Sequence, residues 1–195
     1  MSGETFHILQ RLAGSGTEKQ GGLQCAPLLT GIKLSNLLNV RTDQKEEVLR
    51  LFAGTAVSCR VLYEFDGRMS LLLYREDRMR AHLERSDVRR MLDGFGYAGM
   101  GIKETLLLLS IRYQEHMDGL RAFPHEIGLL LGYPPVDVAG FMENNGERFL
   151  YSGYWKVYGN LTETLKVFEQ YDRAREYVIH MAGSGRAIRE ILAAS

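Results

Sequence analysis

Residues 57–74 read VSCRVLYEFDGRMSLLLY, and this stretch decides the fold class. Val57, Cys59, Val61, Tyr63 and Phe65 fall on alternate positions, the period of a strand with one covered face. Asp66-Gly67 supplies the positive φ angles of a tight two-residue turn. Met69 to Tyr74 then returns as a second strand. Most positions of that return strand are apolar, which predicts cover on both of its faces.

Helical patterns surround this hairpin. Upstream, Ser35 is placed to cap a short helix containing Leu37 and Leu38. Thr42 or Asp43 is placed to cap a helix over 44–52, with Val48, Leu49 and Phe52 on its apolar side. Downstream, 75–92 is helical with a break near Ser86. Gly94, Gly96, Gly99 and Gly101 form a loose connection, and 103–117 reads as a buried helix. In 123–132, FPHEIGLLLG, Pro124 suits a first helical position and Gly132 the residue after a helix end. A short helix over 136–143 stops at Asn144-Asn145-Gly146. Residues 148–158, RFLYSGYWKVY, are rich in aromatic and β-branched types and read as a strand. Leu161, Leu165, Phe168, Tyr171 and Val178 mark a long amphipathic helix.

Strands do not alternate with helices, so a doubly wound parallel sheet is not expected. The predicted class is α+β: a helix-rich single domain with a small, largely antiparallel sheet, made of the hairpin at about 57–74 and a strand at about 148–158. The expected organisation is an N-terminal helix and flexible linker over 1–22, a single α+β domain over 23–182, and a short C-terminal helix over 183–195.

The 195 residues are 45% hydrophobic and 25% charged, which excludes a disordered chain, a collagen-like fibre and a disulfide-stapled miniprotein. Lys plus Arg and Asp plus Glu each number 24, so no global attraction draws the chain to nucleic acid or anionic membrane. The basic stretch 75–90 is interleaved with acids and reads as a solvated helix face. The longest apolar runs, 106–109 and 127–131, fall far short of the ~20 residues of a membrane span. Two distant cysteines, Cys25 and Cys59, and no apolar leader point to a cytoplasmic protein with free thiols.

Familiar catalytic signatures are missing: GxxxxGK[ST], HExxH, GxSxG and paired CxxC. Gly94, Gly96 and Gly99 have dinucleotide-loop spacing, but no predicted strand precedes them, so a plain loop is the better account. None of the five histidines pairs with another at helical spacing. A metal site would need distant segments such as Cys25 with His125, so no metal is assigned and no cofactor is named.

Three stretches carry candidate chemistry. Cys25 lies in a loop before Pro27, where a lowered pKa would make it reactive with His125 as base; a small buried thiol is the bland alternative. His125 and Glu126 occupy a predicted first helical turn, whose free N–H groups suit an acid or an anionic ligand. In a strand over 153–158, Tyr154, Lys156 and Tyr158 share one face, where the lysine between tyrosines suits a carboxylate, a phosphate or a stacked ring. Trp155, the lone tryptophan, reads as a core anchor.

CAPLLTGIKLSNL at 25–37, FPHEIGLLLGYPPVDVAGFMENNG at 123–146 and GYWKVYG at 153–159 together resemble a bacterial family of uncharacterised proteins, domain-of-unknown-function family 3793. The resemblance covers roughly 25–171. Its motif positions fall on Cys25, Pro27, Gly31, Lys33, Pro124, His125, Glu126, Gly132, Tyr133, Pro134, Trp155, Lys156 and Tyr158, and it implies no activity.

The expectation is a binding protein for a small anionic or aromatic ligand. Its pocket is expected from the 25–33 loop, the 124–126 helix start and the 154–158 strand, with Lys33, His125, Tyr154, Lys156 and Tyr158 as ligand-binding residues. One alternative is a thiol-dependent enzyme or redox protein using Cys25, His125 and Glu126. Another is an interaction module packing its apolar helices on a partner or on a second copy, as a homo-oligomer.

Overall fold

The computed structural model describes residues 22–184. The expected N-terminal helix and linker and the last short helix lie almost wholly outside the described residues.

The hairpin forms as its sequence dictates. Strand β2 (Val57–Phe65) and strand β3 (Arg68–Arg75) pair antiparallel, Phe65 opposite Arg68. Asp66 at φ 48° and Gly67 at φ 72° make the turn. The third strand is β1 (Ser35–Arg41), antiparallel to β3, which makes β3 central. This corrects the helix expected after Ser35. Seven consecutive pairings with β3 outweigh a local capping signal, and the Ser35 hydroxyl donates instead to Leu130 O at 2.5 Å.

Both faces of β3 are covered, as its apolar run requires. Met69, Leu71 and Leu73 pack with Leu38, Cys25, Leu28 and Leu29 and with helix α2 (Lys45–Phe52), following the one-turn helix α1 (Ala26–Leu29). On α2, Leu51 is buried where Leu49 was expected, and Leu49 is exposed. Leu72 packs on the opposite face with α3 (Glu76–Leu83), α4 (Ser86–Gly94) and α5 (Ile102–Met117). The predicted break near Ser86 is where α3 gives way to α4. Only one face of α5 is buried, since Leu107 and Ile111 are about half exposed.

The single apolar face expected along β2 does not run its whole length. A bulge between Val61 and Tyr63 shifts the register. Val57 and Cys59 face the α1–α2 side, whereas Leu62 and Tyr63 join the α5 side. Val61 and Phe65 are exposed.

The second half of the chain forms α6 (Ile127–Leu130), α7 (Pro135–Glu143), strands β4 (Tyr151–Ser152) and β5 (Lys156–Val157), and α8 (Leu161–Gly183). The strand expected over 148–158 is instead a two-stranded ribbon that does not join the main sheet. Its chain reverses between Ser152 and Lys156, and Trp155 and Val157 turn inward onto Phe168 and Tyr171 of α8. Among the described residues no helix is long and apolar enough to cross a membrane.

Candidate functional site

Helix α6 starts at Ile127, later than Pro124 suggested, and has one turn. Its surroundings fix it from three sides. Glu126, almost fully buried, accepts from Arg112 Nη1 of α5 at 2.7 Å and from the Tyr97 hydroxyl at 3.0 Å. His82 Nε2 lies 2.9 Å from Leu129 O, and Ser35 meets Leu130 O. Burial lowers the pKa of His82. Glu126 is thus the acid of a buried ion pair, and its carboxylate secures α6 to α5.

The segment on either side of α6 walls a cavity of about 230 Å³, completed by α7 and the β4–β5 ribbon. Rings dominate its lining: Phe123, His125, Tyr133, Phe141 and Trp155, with Lys156 and Asp137 as the charged side chains. The His125 ring stands 5.3 Å from Phe123 and 5.6 Å from Phe141, centroid to centroid. Tyr133 stacks on Trp155 at 4.8 Å, and Phe168 meets the indole edge-to-face at 4.5 Å from behind. Trp155 is the core anchor its sequence suggested, and it also presents a face to the cavity.

Asp137 organises this wall. It is buried, and its carboxylate accepts from Trp155 Nε1 at 2.7 Å and from the backbone N–H groups of Tyr158 and Gly159 at 2.8 and 3.0 Å. Sequence reading passed over it because an acid after Pro134-Pro135 looks like an ordinary first-turn residue. Lys156 Nζ donates to Gly146 O at 2.6 Å, which uses one of its three donors. It lies 4.8 Å from the Phe149 ring centroid and 5.9 Å from that of Phe141.

The expected tyrosine flanks of Lys156 are not there. Tyr154 donates to Asp172 of α8, and Tyr158 packs against Gly140 of α7. The ribbon's reversal breaks the alternation that placed all three on one face, and phenylalanines take the tyrosines' place.

Nor do all three expected stretches wall one recess. His125 and Lys156 share the cavity, but the 25–33 loop stands behind Tyr133. Lys33 is buried, donates to Asn36 Oδ1 at 3.0 Å, and sits 5.9 Å from the ring centroids of Tyr133 and Tyr171. Burial pushes its ammonium pKa down to about 8. Cys25 is fully buried, with Asn36 Nδ2 3.5 Å from its sulfur. Burial pushes its thiol up to about 12, a protonated and weakly nucleophilic state. No hydrogen bond joins Cys25 to His125 among the described residues, whose His, Cys, Asp and Glu side chains form no metal-binding group.

Fold and site together define a helix-rich α+β domain with an aromatic, mostly apolar cavity. The chain belongs to the family described as protein of unknown function (DUF3793), whose model matches residues 22–192. No curated protein and no solved structure is a match for the chain.

Proposed function

We propose that the protein binds a small aromatic anion, a single ring carrying a carboxylate or a similar group, in the cavity between α6, α7 and the β4–β5 ribbon. The observation that carries this reading is five rings around one recess with a single ammonium, that of Lys156, on its wall. An apolar cavity of ~150 Å³ already admits benzene. About 230 Å³ therefore suits one ring and its substituent and is too small for a nucleotide. Phe123, His125, Tyr133, Phe141 and Trp155 offer stacking and edge contacts, and the two remaining donors of Lys156 meet the anion. Asp137 is spent on three internal donors and serves to hold the wall.

The reading places the protein in the cytoplasm, with a small molecule as its partner. Basic residues of 76–93 support a partner other than nucleic acid: Arg80, Arg85 and Arg89 each pair with an acid of the same stretch. A thermal-shift screen of aromatic carboxylates tests the reading. A hit that raises the melting temperature of the native protein should lose most of its effect in Lys156→Ala. Undiminished binding in that variant removes Lys156 from the site, and no hit across the panel removes the proposal.

A further inference from the structure

A second recess, of about 290 Å³, is lined by Ile32, Lys33, Leu34, Arg78, Gly132 and Tyr171, with Ala81 completing it. Its charges are unlike those of the aromatic cavity. Gly31, at φ 71°, turns the chain at its edge, and a side chain there would be strained. The space a Cβ would take lies 3.4 Å from Arg75 Nη1 and 3.6 Å from Arg78 Nη2. Two guanidinium groups therefore converge on one small volume beside the Lys33 segment.

Among the described residues neither arginine forms an ion pair with an acid, although Glu76 beside them does so with Arg80. The Arg75 Nε atom is buried and has no hydrogen-bond partner. The Lys33 ammonium is buried and bonded to a neutral amide, not to a carboxylate. The backbone donors of the turn are already used, since the N–H groups of Gly31, Ile32 and Lys33 bond to Leu28 O and Pro27 O. What stands open is the positive charge of the two guanidinium groups. Two like charges without an interposed acid repel one another unless an anion joins them. Paired guanidinium groups match the flat, doubly accepting edge of a phosphate.

We infer that Arg75 and Arg78, converging at the Gly31 turn, form a phosphate-binding site, for inorganic phosphate or for the phosphoryl group of a small phosphorylated molecule. Ile32, Leu34 and Tyr171 offer apolar surface to an organic body. The inference is independent of the aromatic cavity, which none of these residues lines.

The test is calorimetric titration of the full chain at constant ionic strength with inorganic phosphate and with phenyl phosphate. Saturable binding of either is expected. Arg78 is exposed, so Arg78→Gln should fold and bind at least about tenfold more weakly, as expected for one lost charge-assisted contact. Arg78→Lys should retain part of the affinity. Arg50→Gln, which removes equal charge on α2, should bind as the native protein does. Tighter binding of phenyl phosphate identifies an organic phosphate as the ligand, and equal affinities identify the free anion. In phosphate-free, low-salt buffer, Arg78→Gln should melt no lower than the native protein, since it relieves repulsion. The inference is overturned by lack of saturable binding, by equal weakening in Arg78→Gln and Arg50→Gln, or by a lower melting temperature of Arg78→Gln without phosphate.

Discussion

Replacing Asp137 with alanine strips one carboxylate from three donors at once. The Trp155 indole N–H is buried, so losing its acceptor costs about 1–3 kcal/mol. The backbone N–H groups of Tyr158 and Gly159 are only partly buried, and water recovers some of their bonding, leaving about 0.5–1 kcal/mol each. Together these place the loss at about 2–5 kcal/mol, a large share of a typical domain's stability. Asp137→Asn should cost less, about 1–2 kcal/mol, because one oxygen can still serve the two backbone donors while its amide faces the indole N–H. Urea unfolding followed by the emission of the lone tryptophan reads both stability and site. The alanine variant should lower the midpoint with an unchanged slope and red-shift the folded-state emission. A loss under about 1 kcal/mol, or an unmoved emission maximum, would refute the assignment of Asp137 as the wall's organiser.

Gly140→Ala places a Cβ 2.5 Å from Tyr158 Cβ and Cγ; thermal unfolding should show a loss of about 2 kcal/mol or more, whereas a near-neutral result would mean α7 and the ribbon can separate freely. Glu126→Gln leaves the Arg112 charge largely buried, with side-chain exposures of 13% and 4% for Arg112 and Glu126, and should cost about 3 kcal/mol by urea unfolding; a cost below about 1 kcal/mol contradicts the role given to that pair. The depressed Lys33 pKa means the unfolded chain binds a proton that the folded chain has released between pH 8 and 10.5, so Lys33 makes stability rise with pH in that window, by about 3 kcal/mol in all. Cys25 acts oppositely, since its thiol stays protonated on folding from pH 9 to about 12 and stability falls there. The stability gap between Lys33→Met and the native protein should accordingly shrink from pH 8 to 10, and a pH-independent gap would sink the buried-ammonium account.

The hairpin was legible because the Asp66-Gly67 turn joins two β-rich runs, although the bulge between Val61 and Tyr63 breaks the alternation of the first, and the apolar run of 69–74 foretold cover on both faces of the second. Strand β1 was not legible: SNLLNVR has no alternation of its own, and its pairing with β3 is a long-range event. The reversal inside 148–158 was hidden because aromatic residues favour strands regardless of direction. For the site, His125, Trp155 and Lys156 were legible as unusual residues near turns. Asp137, Phe141, Arg75 and Arg78 were not, since their roles come from what the fold sets opposite them: an indole N–H, an imidazole and a glycine turn. Lys33 was singled out as a charged candidate, but it does not line the cavity it was assigned to.

The cavity's occupancy can be watched through one resonance. Trp155 gives the only indole N–H signal of the chain, and its ring forms part of the cavity wall. In a proton–nitrogen correlation spectrum, titration with benzoate and its hydroxylated relatives should move that peak saturably, and Lys156→Ala should shift the curve to at least about tenfold higher concentration. A peak that stays fixed through millimolar additions of every member of the panel contradicts the claim that this cavity receives an aromatic anion.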